Sequence, residues 1–308
     1  MLGRMFGPKK KQGGKKGGKK DASREIPTIP VSLPPTKKTR TTAVAGKISA
    51  NLPQLVVGCA QSVGMQRDHN EDAILTLTTL AANNNGYFPI GLFIIADGMG
   101  GHKHGEIASN LAVHTIAHRI MGQVMLPLLD STPTSPGDPL QEILEQSVQE
   151  AHRVISKEVP GSGTTLTAIL ISGQQMTVAH VGDSRAYAVD STGEMQVLTR
   201  DHSLVMRMLE LGHLTEEEAS IHPQRNVLYR ALGQGEPFSP DISTSPLPIS
   251  GYLLLCTDGL WGVVPQGEMT RIINSASTLE IACQQLIDAA NQAGGPDNIS
   301  AILVRLPD

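Results

Sequence analysis

TTLTAILISGQQMTVAHVGDSRAYAVDSTGEMQVLT, residues 164–199, is the stretch that decides the architecture. Strand-forming residues fill Thr164 to Ile171, turn residues follow, and MTVAHVG resumes the pattern from Met176. A further run reaches Val189, then the turn DSTG, then MQVLT. Short strand-like runs separated by Gly, Asp and Ser read as successive antiparallel hairpins. The regular strand–helix rhythm of a parallel sheet is not followed.

Helical patterns lie on either side of these strands. After Glu106, Ala108, Ala112, Ile116 and Ile120 recur every fourth residue. Asp138 is placed to cap a helix opened by Pro139, with Leu140, Leu144, Val148, Ala151 and Ile155 on one face and Pro160 as its stop. Ser277 and Glu280 have capping-box spacing for a helix with Ala282, Leu286 and Ala289 inward, ended by Gly294 and Gly295, before a last strand SAILVRL. A helix with a single apolar stripe needs a sheet to cover. The expected class is therefore α+β, two antiparallel sheets face to face with helices outside.

Composition narrows the function. The chain has 308 residues, 40% hydrophobic and only 3% aromatic, so its core is aliphatic and a base-stacking surface for nucleic acid is not expected. Three cysteines, Cys59, Cys256 and Cys283, fall in apolar runs and read as reduced structural thiols of an intracellular protein, Cys256 as core packing. Neither a signal peptide nor a membrane span is visible, so a soluble, cytoplasmic protein is expected. The net charge of -4 hides a division: residues 1–50 hold 13 Lys and Arg against 2 acids, or +11, and the remainder 12 against 27, or -15. Residues 1–52 read as a disordered basic tail and linker with Pro and Gly, and residues 53–308 as the folded domain. The tail is either a solubilising extension or attracts an acidic surface or anionic membrane.

Several acids stand beside strands. FIIADGMGG runs from Phe93 to Asp97 as a short buried strand ending in a carboxylate; LLLCTDG does the same at Asp258, MTVAHVGD at Asp183. Glu71 and Asp72 in RDHNED and Asp297 in GGPDN complete the set. One such Asp is usually a turn residue; three suggest carboxylates gathered at one sheet edge around a cation. All are hard oxygen donors, and zinc motifs are lacking, so Mg²⁺ or Mn²⁺ fits best. A paired-cation site activates water and clamps phosphate oxygens without a protein nucleophile.

The ordered set RDHNED, ADGMGG, GSGTTLTA, HVGDSRAY, LLLCTDGLW and GPDNISAILV resembles the bacterial branch of the PP2C-type (PPM) metal-dependent serine/threonine protein phosphatases over nearly all of residues 55–306. The resemblance implies an α-β-β-α sandwich with two Mn²⁺ or Mg²⁺ ions at one end, and hydrolysis of phosphoserine and phosphothreonine by a metal-bridging water, opposing bacterial kinases. It implies Asp97 as the bridging carboxylate, Gly98 as a carbonyl ligand, and Asp258 and Asp297 as the ligands completing the first ion. Glu71 and Asp72 resemble the pair that holds metal-bound waters, Asp183 with Asp258 a weaker third-ion site, and Arg67 the arginine that grips the substrate phosphate. Animal members carry a histidine directly after the Asp-Gly pair as proposed general acid; here Met99 stands there. His102 and His104, in a glycine-bounded loop, are expected to be solvated, and Asp183 has a plainer alternative as a turn residue paired to Arg185.

Residues 201–235 resemble the family's mobile flap. Gly212 ends one short helix there, Thr215 and Glu218 form a capping box for a second, and Arg225 and Arg230 are candidates for choosing substrates. The rival readings are an inactive phosphatase-like module that binds phosphoproteins, and a small-molecule phosphomonoesterase. The expected partners are phosphorylated proteins, and the expected state is a monomer.

Overall fold

The computed structural model describes residues 52–83, 86–100, 104–129 and 139–307. The strands are β1 (Val56–Ser62), β2 (Asp72–Asn83), β3 (Gly86–Met99), β4 (Gly163–Thr164), β5 (Leu166–Ser172) and β6 (Gln175–Val181). They continue with β7 (Arg185–Val189), β8 (Met195–Val197), β9 (Asp241–Pro246), β10 (Tyr252–Cys256) and β11 (Ile299–Arg305). The helices are α1 (His104–Ile120), α2 (Leu140–Glu158), α3 (Leu204–Glu210), α4 (Glu216–Ser220), α5 (Asp258–Trp261), α6 (Gln266–Ser275) and α7 (Leu279–Gln292).

Two antiparallel sheets form, one in the order β1-β11-β10-β7-β8 and the other β2-β3-β5-β6-β9, with β4 attached to β3. Strands enclosed on both faces explain the continuous apolar runs. In LLLC, Leu253 and Leu255 point to the core between the sheets, while Leu254 and Cys256 point to the core under α6 and α7. In β3, Phe93 and Ile95 lie between the sheets, and Leu92, Ile94 and Ala96 face α1 and α2. Three apolar layers between four structural ones make an α-β-β-α sandwich. Ala108, Ala112, Ile116 and Ile120 of α1 are all fully buried, as their spacing implies.

Four local expectations need correction or limits. The strand ending at Asp97 is not short: β3 spans 14 residues. Pro89 is tolerated because the pairing with β5 begins only at Ile90, so its missing N–H lies past the end of that ladder. The run 164–189 is not one series of hairpins. Strands β5 and β6 pair in one sheet, but β7 pairs with β10 in the other, so the chain changes sheets at Gly182–Ser184. The last helix is capped one residue later than expected, by Thr278, whose hydroxyl accepts the Ile281 N–H at 3.3 Å, and Ala290 rather than Ala289 completes its buried stripe. Asp138, His102 and the segment 1–51 lie outside the described residues.

Candidate active site

The ends of several strands meet at one edge of the sandwich. Register places Asp72, the first residue of β2, opposite Asp97 near the end of β3. Asp258 follows β10 and opens α5, Asp297 precedes β11, and Asp183 occupies the change of sheet. In chain positions these acids span more than two hundred residues; sheet pairing alone gathers them.

Asp72 is buried and held rigidly: its Oδ2 accepts the Ser300 hydroxyl at 2.6 Å and the Thr257 hydroxyl at 3.0 Å. Its Oδ1 is buried with no protein partner, and so is Oδ1 of Asp258. Asp97 is fixed through its backbone, where its N–H donates to Thr165 Oγ1 at 2.9 Å and its carbonyl accepts the Thr165 N–H at 2.8 Å. Gly98 donates its N–H to the Glu71 carbonyl at 3.1 Å. A Cβ on Gly98 would stand 2.2 Å from the Gly105 carbonyl oxygen, so only glycine fits where α1 meets β3. Glu71 is steered by Asn298, whose Oδ1 accepts the Glu71 N–H at 2.8 Å.

The carboxylates repel one another. Burial, and then the charges of Asp258 and Asp297, push Asp72 up to about 7. Burial and Asp297 raise Asp258 to about 6, against a hydrogen bond with Asp97. Asp97 is held well above the usual carboxylate range by burial and by Asp72, Asp258, Asp183 and Asp297. Asp183 is raised likewise, by burial and then Asp258 and Asp201. Such a cluster, with two buried oxygens unpartnered, is poised for positive charge. Among the described residues no three or more His, Cys, Asp or Glu side chains stand as a ready-made ion cage.

Arg67 donates from Nη2 to Asp297 Oδ2 at 2.7 Å and remains half-exposed at the cleft mouth. The alternative pairing of Asp183 with Arg185 is not made. Arg185 instead grips Asp201, Nη2 to Oδ2 at 2.8 Å and Nε to Oδ1 at 3.0 Å, and stacks 3.5 Å from the centre of the Trp261 ring. A cleft of about 840 Å³ joins Arg67, Asp183, Asp258 and Asp297 to Trp261 and to Arg225 of the segment 201–235. That segment carries α3, none of whose residues is buried, and α4, with the full Thr215–Glu218 capping box. Arg230, in contrast, is committed to Asp241 at 2.6 Å.

The residues that orient the acids carry little signal in the sequence. Asn298 is the chief of them: besides Glu71 it bonds the carbonyls of Val63 at 2.8 Å and His69 at 2.9 Å, stapling the loop 63–71 to the Asp297 turn. Its place in GPDN was the one available signal. Thr257 and Ser300 gave none.

The chain matches the family described as protein phosphatase 2C over residues 58–299. It belongs to that family. The serine/threonine phosphatase stp of Listeria innocua is 36% identical over 253 residues, covering 78% of this chain and 92% of the relative. Protein phosphatase PhpP of Streptococcus pneumoniae is 36% identical over 245 residues, covering 79% and 94%. Among solved structures, the serine/threonine phosphatase PstP/Ppp of Mycobacterium tuberculosis superposes with a TM-score of 0.68 at 31% identity, covering 83% of this chain and all of that one. The catalytic domain of PstP in complex with two manganese ions gives a TM-score of 0.66 at 29% identity, over 83% and 99%. As a phosphatase 2C chain it carries Met99 directly after Asp97-Gly98, half-buried and paired to Gly163; His104 is exposed at the start of α1. No helix among the described residues is long and apolar enough to cross a membrane.

Proposed function

We propose that this enzyme, a protein serine/threonine phosphatase, works with two divalent cations, Mn²⁺ or Mg²⁺, seated between Asp97, Asp258 and Asp297, with a weaker third beside Asp183. The observation that carries the reading is the gathering of Asp72, Asp97, Asp183 and Asp258 with raised pKa values, two of their oxygens buried and unpartnered. Divalent cations bound there would supply Lewis-acid charge and an activated water for in-line attack on phosphorus.

The chain's own residues divide the remaining work. Asp97 and the carbonyl of Gly98, which has no side chain to crowd it, would be among the groups that hold the cations. Glu71 and Asp72 orient the hydration of the site, Asp72 because Ser300 and Thr257 hold one of its oxygens and turn the other inward. Arg67, at the mouth, exchanges part of its bond to Asp297 for two oxygens of the phosphate, the fork matching the anion. With Met99 after Gly98, the chain offers no imidazole there to protonate the leaving oxygen, so a water or another group at the site must do so.

The substrates are phosphorylated proteins. Residues 53–308 form the phosphatase domain, residues 201–235 its flap, and residues 1–52 a basic tail that draws the enzyme to acidic surfaces or anionic membranes; the enzyme is a cytoplasmic monomer. The deciding assay is hydrolysis of phosphothreonine peptides with Mn²⁺ or Mg²⁺ and with EDTA. Turnover that survives EDTA, or none with any divalent ion, would sink the cation mechanism.

A further inference from the structure

Asp183 sits on a turn held from behind by two buried histidines, His180 and His202, 2% and 1% exposed. The residue before it, Gly182, has φ +104 and a Cβ position 2.7 Å from Thr165, so its shape is set by glycine and by what grips its peptide groups. Its N–H donates to His202 Nδ1 at 3.1 Å. Its carbonyl, which belongs to the Gly182–Asp183 peptide, accepts the His202 N–H at 2.6 Å and His180 Nε2 at 3.0 Å.

These bonds fix the tautomer. Because His202 Nδ1 accepts, its proton rides on Nε2, which donates to Asp241 Oδ2 at 3.1 Å. Arg230 Nη1 is 3.3 Å from that same Nε2, a donor facing a donor, and bonds instead to Asp241 Oδ1 at 2.6 Å. Burial lowers the pKa of both rings, His180 to about 3, so both stay neutral. The result is a continuous chain from Arg230 through Asp241 and His202 to the Gly182 amide. The same His202 accepts the Tyr229 N–H at 2.9 Å through its carbonyl. Ser203, next in the chain, caps α3 by accepting the Met206 N–H at 3.3 Å. One residue therefore touches the sheet change and both ends of the segment that covers the cleft.

We propose that His202 is a positioning residue for Asp183: its imidazole, anchored by Asp241 and Arg230, holds the Gly182 N–H of the Val181–Gly182 peptide and so sets the turn that aims the Asp183 carboxylate at the cleft, and it ties the affinity of that carboxylate for a divalent cation to the base of the flap. The proposal rests on the reading of Asp183 as a cation ligand. Residues oriented through a hydrogen bond of this kind typically carry a tenfold or larger share of cation affinity. His180 backs the carbonyl side, and Trp261 Nε1 donates to the Asp183 carbonyl at 3.0 Å, so the N–H side of the turn depends on His202.

The test is Mn²⁺ binding by calorimetry on the full chain, with amide hydrogen exchange at residues 182–184, on Asp183→Ala, His202→Ala, His202→Asn, His202→Gln and Asp241→Ala. The expected result is that Asp183→Ala removes the weakest Mn²⁺ event, and that His202→Ala weakens it on the order of tenfold while exchange at Gly182 accelerates. His202→Asn, whose amide oxygen falls near the Nδ1 position, restores most of the affinity, whereas His202→Gln, which reaches the Nε2 position, does not. Asp241→Ala, at a half-exposed site that tolerates truncation, gives an intermediate loss and keeps the idea testable should His202→Ala fail to fold. If Asp183→Ala binds Mn²⁺ as the parent does, the ligand reading falls and this proposal with it. If Asp183→Ala loses the event while His202→Asn, His202→Gln and Asp241→Ala all bind like the parent, the ligand reading stands and the positioning role is overturned.

Discussion

Asp258→Asn should make the metal-free enzyme more stable while disabling it. The carboxyl of Asp258 is shifted from its ordinary 3.8 to about 6 by burial and by Asp297, which corresponds to about 3 kcal/mol of destabilised charge once the group is ionised. Asp258 is half-buried, so solvent screening trims this to about 2 kcal/mol. An Asn keeps the shape and leaves an amide oxygen to accept the Gly259 N–H, but carries no charge. For a domain of this size about 2 kcal/mol moves Tm upward by roughly 4–8 °C, measured by calorimetry in EDTA at pH 8. The sign with pH follows from the raised pKa: the stabilising contribution of the protonated carboxyl is complete below 3.8 and is lost as pH rises through about 6. The parent should therefore approach the variant toward pH 4 and fall behind it by pH 8. Saturating Mn²⁺ should reverse the order, because a cation at 100 times its Kd adds about 2.7 kcal/mol to the parent and less to a variant lacking the charge. A variant less stable than the parent in EDTA at pH 8, or a gap that ignores pH, would refute the reasoning.

Arg67→Ala should raise KM for phosphopeptides by about tenfold, with a smaller effect on kcat, since a contact made equally in ground and transition state acts there; a normal KM with collapsed kcat would reassign the residue. Asn298→Ala removes bonds to Glu71, Val63 and His69 and should cost about 2–4 kcal/mol, read by denaturant unfolding, with weaker Mn²⁺ binding; a loss under about 0.5 kcal/mol would show that the loop is held by other contacts. An enzyme beginning near residue 50 should cleave small substrates like the full chain and lose binding to anionic vesicles at low salt, because that segment carries the excess positive charge. Equal vesicle binding by both forms would make the tail a bystander.

The class of the fold and most of its helices are legible in the chain before any contact is known. A strand enclosed on both faces must be apolar at every position, which is why FIIA, LLLC and AILV stand out, and a helix lying on a sheet repeats its apolar residues every three or four positions, as in α1 and α2. The acids were visible for a related reason: charge next to such a run is costly unless something offsets it. Which strands pair is settled by packing at long range. Strand β7 looks like a continuation of the β6 hairpin, yet it joins β10, more than sixty residues on, because the pairing is chosen by which faces close two cores at once and no local pattern records that. The same holds for the residues that aim the acids. Asn298 meets Glu71 across 227 positions, Thr257 meets Asp72 across 185, and His202 meets Gly182 only because the chain changes sheets there. A hydrogen bond between distant residues leaves each partner an ordinary polar side chain in its own surroundings, so its meaning appears only when the sheets bring the two together.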